Sequence, residues 1–168
     1  IDYNEAKEKK YSLEYLIDNY GYYDFAKKYY GKIIPYVPLK KDVVKYLNKI
    51  KKRGHQIIFI TARSNRGYDN PYQLTYDYLV KNNIPFDELI TDALEKDKAC
   101  VDESIDVYLD NDINHCVKTK AIGINTYLNI SENSQKNKEF KCVKNFKQFY
   151  KIIKKEEKSG STNPNNQS

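Results

Sequence analysis

Two short apolar runs, each ending abruptly in polar residues, most constrain what this chain can fold into. Ile57-Ile58-Phe59-Ile60 runs into Thr61-Ala62-Arg63-Ser64, and Val107-Tyr108-Leu109 runs into Asp110-Asn111-Asp112. Runs of this length without polar alternation are the mark of strands covered on both faces, as in parallel sheets. Amphipathic segments surround them. Asp42–Arg53 carries Val43, Val44, Leu47 and Ile50 on one face and is closed by Gly54. Residues 72–82 read as a helix ended by Asn82-Asn83, 88–91 as a short strand, 94–103 as a helix and 105–110 as the second buried strand. Ile113–Thr119 reads as a short helix, 121–128 as a strand containing Gly123, 140–143 as a last strand and 146–154 as a final helix. Helix and strand in alternation predict an α/β fold, Rossmann-like, with a mainly parallel sheet and flanking helices.

In such sheets ligands bind beyond the carboxyl ends of the strands. Thr61 and Asp110 both lie at carboxyl ends and are read together for that reason. The chain has 168 residues, enough for one domain with a core. No apolar run approaches the ~18 residues needed to span a bilayer. Cys100, Cys116 and Cys142 show neither Cys-x-x-Cys spacing nor an even count, which argues against a disulfide framework or zinc site and fits a reducing, cytoplasmic setting.

The net charge is +6, and only three of the 29 basic residues are arginine. The lysines are spread along the chain and interleaved with acids, so a dedicated nucleic-acid surface is the weaker reading and anionic small substrates the stronger. Arg63 and Arg66 both follow the first apolar run, where a bidentate guanidinium suits phosphate; a solvent-facing loop arginine is the bland alternative. Residues 1–37 are rich in Tyr and Lys, with stripes at Leu13, Leu16 and Ile17 and at Phe25, Tyr29 and Tyr30, and with Gly21 and Gly31 as helix stops. These stripes read as core more readily than as base-stacking surfaces. Residues 156–168 carry no apolar anchor and are expected to be a disordered tail.

The residues at the strand ends can support phosphoryl transfer. Thr61 offers a hydroxyl, and its backbone N–H and that of Ala62 offer further donors. Lys96 or Lys98 offers a cation, with Lys96 better placed at the start of the helix before the second run. Asp110 is a metal-facing carboxylate candidate; Asn111 can bind Mg²⁺ through its carbonyl or hold Asp110; Asp112 can cap the helix from Ile113. His55 and His115 have no ligand-spaced partner and read as structural.

Thr61 with its apolar run, Lys96 through Cys100, and Asp110 with its own run stand in the order of motifs II, III and IV of the haloacid dehalogenase-like hydrolases. Asn83-Ile84-Pro85-Phe86-Asp87, Gly123-Ile124 and Val143–Tyr150 add to the likeness. The stretch from about Pro38 to Lys154 resembles the 5′(3′)-deoxyribonucleotidase-like branch of that superfamily. The resemblance implies a helical cap over 1–37, a core over 38–155, Mg²⁺ held by Asp110 and Asn111, and phosphate held by Thr61, Ala62, Arg63 and Lys96, with Thr61 and Lys96 catalytic. It implies hydrolysis of a small, nucleotide-like phosphomonoester through an aspartyl-phosphate. The family's first motif, Asp-x-Asp after an apolar strand, does not precede Thr61 in this sequence. The resemblance places that strand between the two apolar runs and its nucleophile upstream of Ile1, so the chain alone is expected to lack turnover and to be less stable than an intact domain. A catalytically inactive binding module is the alternative.

Overall fold

The computed structural model describes Asp24 and residues 26–161, with side chains to 159. Most of the expected cap, including Gly21 and the stripes through Leu13 and Phe25, lies outside the described residues, as do 162–168. Residues 26–36 form one irregular helical stretch, π-helical over Ala26–Tyr30, α-helical over Gly31–Ile33 and 3₁₀ over Ile34–Tyr36. Gly31 therefore continues the helix rather than stopping it. Tyr29 is buried, as expected of a core stripe, and Tyr30 stacks on Tyr68.

Five helices and five strands follow: α1 (Val43–Lys52), β1 (Ile58–Ile60), α2 (Pro71–Lys81), β2 (Glu88–Ile90), α3 (Lys96–Asp102), β3 (Val107–Asp110), α4 (Ile113–Ala121), β4 (Asn125–Asn129), β5 (Lys141–Val143) and α5 (Phe146–Ser161). Every strand pairing among the described residues is parallel. The α/β class and the flanking helices agree with the sequence. The strands lie in two sheets, β1 pairing with β2 while β3, β4 and β5 form the other, and the break falls between the two apolar runs.

Local chemistry sets the boundaries. Gly54 holds φ +92° after α1, a left-handed conformation that costs glycine little. Asn70 accepts a hydrogen bond from Gln73 N–H, and Pro71 starts α2. Asp112 caps α4 by accepting from Asn114 N–H, as its sequence position suggested. Gly123 lies in the turn before β4 with φ +88°, not within the strand, which begins at Asn125. The last helix runs to Ser161, seven residues past Lys154, so residues 156–161 are helix rather than tail. Its extra turns are held by polar contacts. Tyr127 donates to Glu156, and Glu157 accepts from Arg53 and pairs with His55 at 2.6 Å.

The main core joins α1, α2 and α5 to both sheets. Val43, Leu47 and Ile50 meet Leu79, Ile84, Leu89 and Ile153, with Phe59 of β1 and Val107 of β3 packed against them. A smaller cluster of Cys116, Leu128 and Phe140 packs α4 onto β4. Apolar contact thus bridges two sheets that share no backbone ladder.

Candidate functional site

Among the described residues, β1 is held on one side only. Ile57 O accepts from Asp87 N–H and Thr61 N–H donates to Ile90 O, so the odd-numbered residues turn their backbone groups towards β2. Parallel strands alternate, so Ile58 and Ile60 turn theirs the other way. On that side lies a cavity of about 1000 Å³, walled by residues 56–60 and 103–111 and floored by Leu47, Ile50, Phe146, Phe149 and Ile153. The free edges of β1 and β3 face each other across it. Opening on the cavity also leaves Ile58, Phe59 and Ile60 only half-buried, where the apolar run implied full cover.

The carboxyl ends of β1, β2 and β3 gather at one end of this slot. Thr61 O accepts from Ala93 N–H and Arg63 O from Asp92 N–H, which ties the end of β1 to the loop leading into α3. Lys96, the first residue of α3, then reaches Asp110 at the end of β3, with Nζ 2.7 Å from Oδ2. Its side chain is 13% exposed and that of Asp110 8%. β1 and β3 therefore run in the same sense.

Asp110 is fully engaged. Oδ2 accepts from Lys96 and from the Tyr108 hydroxyl, and Oδ1 accepts from Asp112 N–H at 3.0 Å. Burial pushes its pKa up, but the hydrogen bonds from Lys96, Tyr108 and Asp112 outweigh burial and hold it below the ordinary carboxylate value. Burial and the same carboxylate push the Tyr108 phenol far up, so it stays a donor. Burial raises the Cys100 and Cys116 thiols beside this pair to about 11, which keeps both neutral and inert as nucleophiles.

Of the candidate residues, the structure brings Lys96 and Asp110 into direct contact and sets Asn111 on the same cavity wall, exposed. Thr61, Ala62 and Arg63 continue from the opposite wall and share no hydrogen bond with them among the described residues. Thr61 N–H is spent on Ile90, so it adds no phosphate donor; Ala62 N–H and the Thr61 hydroxyl are what this turn can offer. Thr61 Oγ1 itself accepts from Arg63 N–H at 3.3 Å. Arg63 turns its guanidinium to Thr75 Oγ1 at 3.1 Å, while Arg66 is exposed. Lys98 lies away from the cluster, 69% exposed and paired with Glu95. His55 is bound to Glu157 and His115 lies 3.9 Å from Asp112, in keeping with structural roles.

Sequence reading missed two residues. Tyr108 looks like an ordinary core aromatic, yet it stands two positions before Asp110 and so shares its face of β3, a signal that period-two spacing carries. Asp97 Oδ1, on the residue after Lys96, is buried with no hydrogen-bond partner among the described residues. Around Asp110 the hard donors are one carboxylate and the Asn111 amide oxygen. That chemistry suits Mg²⁺, which takes one or two carboxylates and fills its remaining positions with water and phosphate. No cluster of three or more His, Cys, Asp or Glu that could hold a metal ion occurs among the described residues. No described helix is long and apolar enough to cross a membrane. Comparison with protein-family models, curated proteins and solved structures finds no match for this chain.

Proposed function

We propose that this chain forms the body of a Mg²⁺-dependent phosphohydrolase, nucleotidase-like, acting on a small phosphomonoester. The observation that carries the reading is the buried Lys96–Asp110 pair at the strand carboxyl ends, reached by the loop that hydrogen-bonds to Thr61 and Arg63. A cation and a carboxylate fixed there, with a hydroxyl and an amide on the facing wall, suit a phosphoryl group better than a neutral ligand.

In this reading the Thr61 hydroxyl and Ala62 N–H hold phosphoryl oxygens, and Lys96 neutralises their charge. Asp110 and Asn111 would hold Mg²⁺, which supplies further charge neutralisation on the phosphoryl group. Tyr108 and Asp112 N–H keep Asp110 ionised and aimed. Arg63, anchored on Thr75, buttresses the turn. The reading requires an aspartate nucleophile, whose carboxylate oxygen forms a bond to phosphorus as the bond to the leaving alcohol breaks while a second acid protonates the departing oxygen. Water then attacks the acyl-phosphate, giving its proton to the same group, and releases inorganic phosphate with the carboxylate restored.

Phosphate binding tests this without turnover. Inorganic phosphate with Mg²⁺, followed by amide NMR of the full chain, is expected to shift Ala62, Lys96 and Asn111, and Lys96→Met is expected to abolish the shifts. Phosphate that leaves those three amides unmoved refutes the reading. The chain alone is expected to release no phosphate from nucleoside monophosphates.

The second reading is a binding module without catalysis. Asn111 in the place of a second acid, and Lys96 already seated on the Asp110 carboxylate, favour it.

A further inference from the structure

We propose that the outer face of α1 and α5 binds the phosphate backbone of duplex DNA, without regard to its base sequence. Lysines that the sequence scatters among acids are sorted by the fold. Lys45, Lys49 and Lys52 share one face of α1, and Lys147, Lys151, Lys154 and Lys155 share one face of α5, by their three- and four-residue spacing. All are exposed except Lys154, which is half-buried. None is in an ion pair among the described residues. The two rows adjoin. Tyr46 meets Tyr150 with ring centroids 5.8 Å apart, and Arg53 binds Glu157 about two turns further along both helices, so α1 and α5 lie side by side and run the same way. Lys49 and Lys154 stand over the same Tyr150 ring, at 5.6 and 5.5 Å, and Lys45 and Lys49 each stand 5.4 Å from the Tyr46 centroid. Those contacts fix ammonium groups along the seam between the helices.

The acids lie elsewhere. α1 has none, and Glu156 and Glu157 of α5 are engaged by Tyr127 and Arg53, while Asp42 and Glu132 stand at the amino-terminal margin of the face. Residues 92–112, around α3, hold eight Asp and Glu against two Lys. The net charge of +6 thus understates the asymmetry, and the field turns the α1–α5 face towards a polyanion. The chemistry of the face selects among polyanions. Lysine has donors and no acceptor, which suits phosphate oxygens and gives no means of selecting a 2′-hydroxyl. A single strand calls for open rings to stack on, and Tyr46 and Tyr150 lie beneath ammonium groups. A membrane calls for apolar side chains beside the charges, and the exposed large apolar residues lie on other elements. Packed helices set the rows about 8–10 Å apart, between the minor-groove width of B-DNA, about 6 Å, and its major-groove width, about 12 Å, so the rows reach phosphates on both sides of one groove. α1 and α5 turn their apolar residues to the cavity and this face away from it, so the proposal stands apart from the phosphohydrolase reading.

A fluorescein-labelled duplex of about 20 base pairs and mixed sequence is titrated with the full chain, and anisotropy is followed between 50 and 200 mM KCl. Neutralisation of about five phosphates predicts a slope of about −4.5 in log K against log salt, a loss of about 500-fold across that range. Lys49→Gln, Lys151→Gln and Lys155→Gln together are expected to make the slope shallower by about 2.7 and to weaken binding at 50 mM at least tenfold. Equal removal of charge at the exposed residues Lys118, Lys136 and Lys138, on and beyond α4, is expected to leave the slope unchanged. Should the first triple variant lose the wild-type far-UV spectrum, Lys151→Gln with Lys155→Gln reads the same face through a change of about 1.8 in slope. No binding at 50 mM, or equal effects of the two triple variants, overturns the proposal. Tighter binding to the matching RNA duplex, to the single strand or to phosphatidylserine vesicles assigns the face to that partner and overturns it as well.

Discussion

Removing the charge of Lys96 is the perturbation whose magnitude the structure fixes best. At 2.7 Å the attraction between Lys96 Nζ and Asp110 Oδ2 is about 6 kcal/mol with an effective dielectric constant of about 20. Desolvation of two nearly buried ions cancels much of it, and breaking such a pair on one side alone costs about 3–5 kcal/mol. Asp110 retains the Tyr108 hydroxyl and Asp112 N–H as donors, so the low end applies. Lys96→Met is therefore expected to destabilise the chain by about 3 kcal/mol, the larger part being the penalty on a carboxylate left without its cation. Adding Asp110→Asn removes that charge, so the double variant is expected to be less destabilised than the sum of the singles by about 2 kcal/mol. Urea unfolding of the four proteins, with m-values compared, measures the cycle. Singles that add to within about 0.5 kcal/mol of the double would show that the two side chains do not interact in solution.

Acid should weaken the clasp on α5. Hydrogen bonds from Arg53 and then His55 hold the Glu157 pKa down at about 2. Its stabilising contribution is thus complete above the usual carboxylate range and fades as pH falls through about 4 towards 2. Glu157→Gln is expected to flatten that part of a Tm-against-pH curve, and identical curves would contradict it. Leu47→Ala, at a site 4% exposed, is expected to cost about 3 kcal/mol in urea unfolding. Gly54→Ala meets open space but must hold φ +92°, so a loss of about 1 kcal/mol is expected, from strain alone. Among the thiols, half-buried Cys142 should react with a maleimide well before Cys100 and Cys116, whose side chains are sealed; equal rates by mass spectrometry would mean that the core opens readily.

Periodicity made the elements around the site legible. The apolar face of α1, the runs of β1 and β3 and the cap at Asp112 all follow from local spacing, and Lys96 was preferred over Lys98 by the spacing that the family resemblance implies. Periodicity alone did not show the separation of the sheets; only the family resemblance, which set a further strand between the two runs, pointed there. Which edges pair depends on what lies between β1 and β3, and an apolar run reads the same whether one edge or two are bonded. The far end of α5 was missed because Glu156 and Glu157 have no apolar signal; their order comes from Tyr127, Arg53 and His55, partners 29 to 104 residues distant in the chain. Thr61 N–H was read as a phosphate donor, whereas β2 extends one bond further and claims it.

The two sheets meet only through side chains, and this decides how the molecule shares load. Leu47, Ile50 and Ile153 grip Phe59 on one sheet and Val107 on the other, while Glu156 and Glu157 fasten the end of α5 to Tyr127 and to the entry of β1. A backbone ladder yields only by breaking hydrogen bonds in register; a greasy contact lets its halves slide. The chain is thus built as two stiff plates on a compliant bearing, with α5 as the strap. Small relative rotations of the plates cost little, and opening of the β1 edge is separable from loss of the β3–β4–β5 plate.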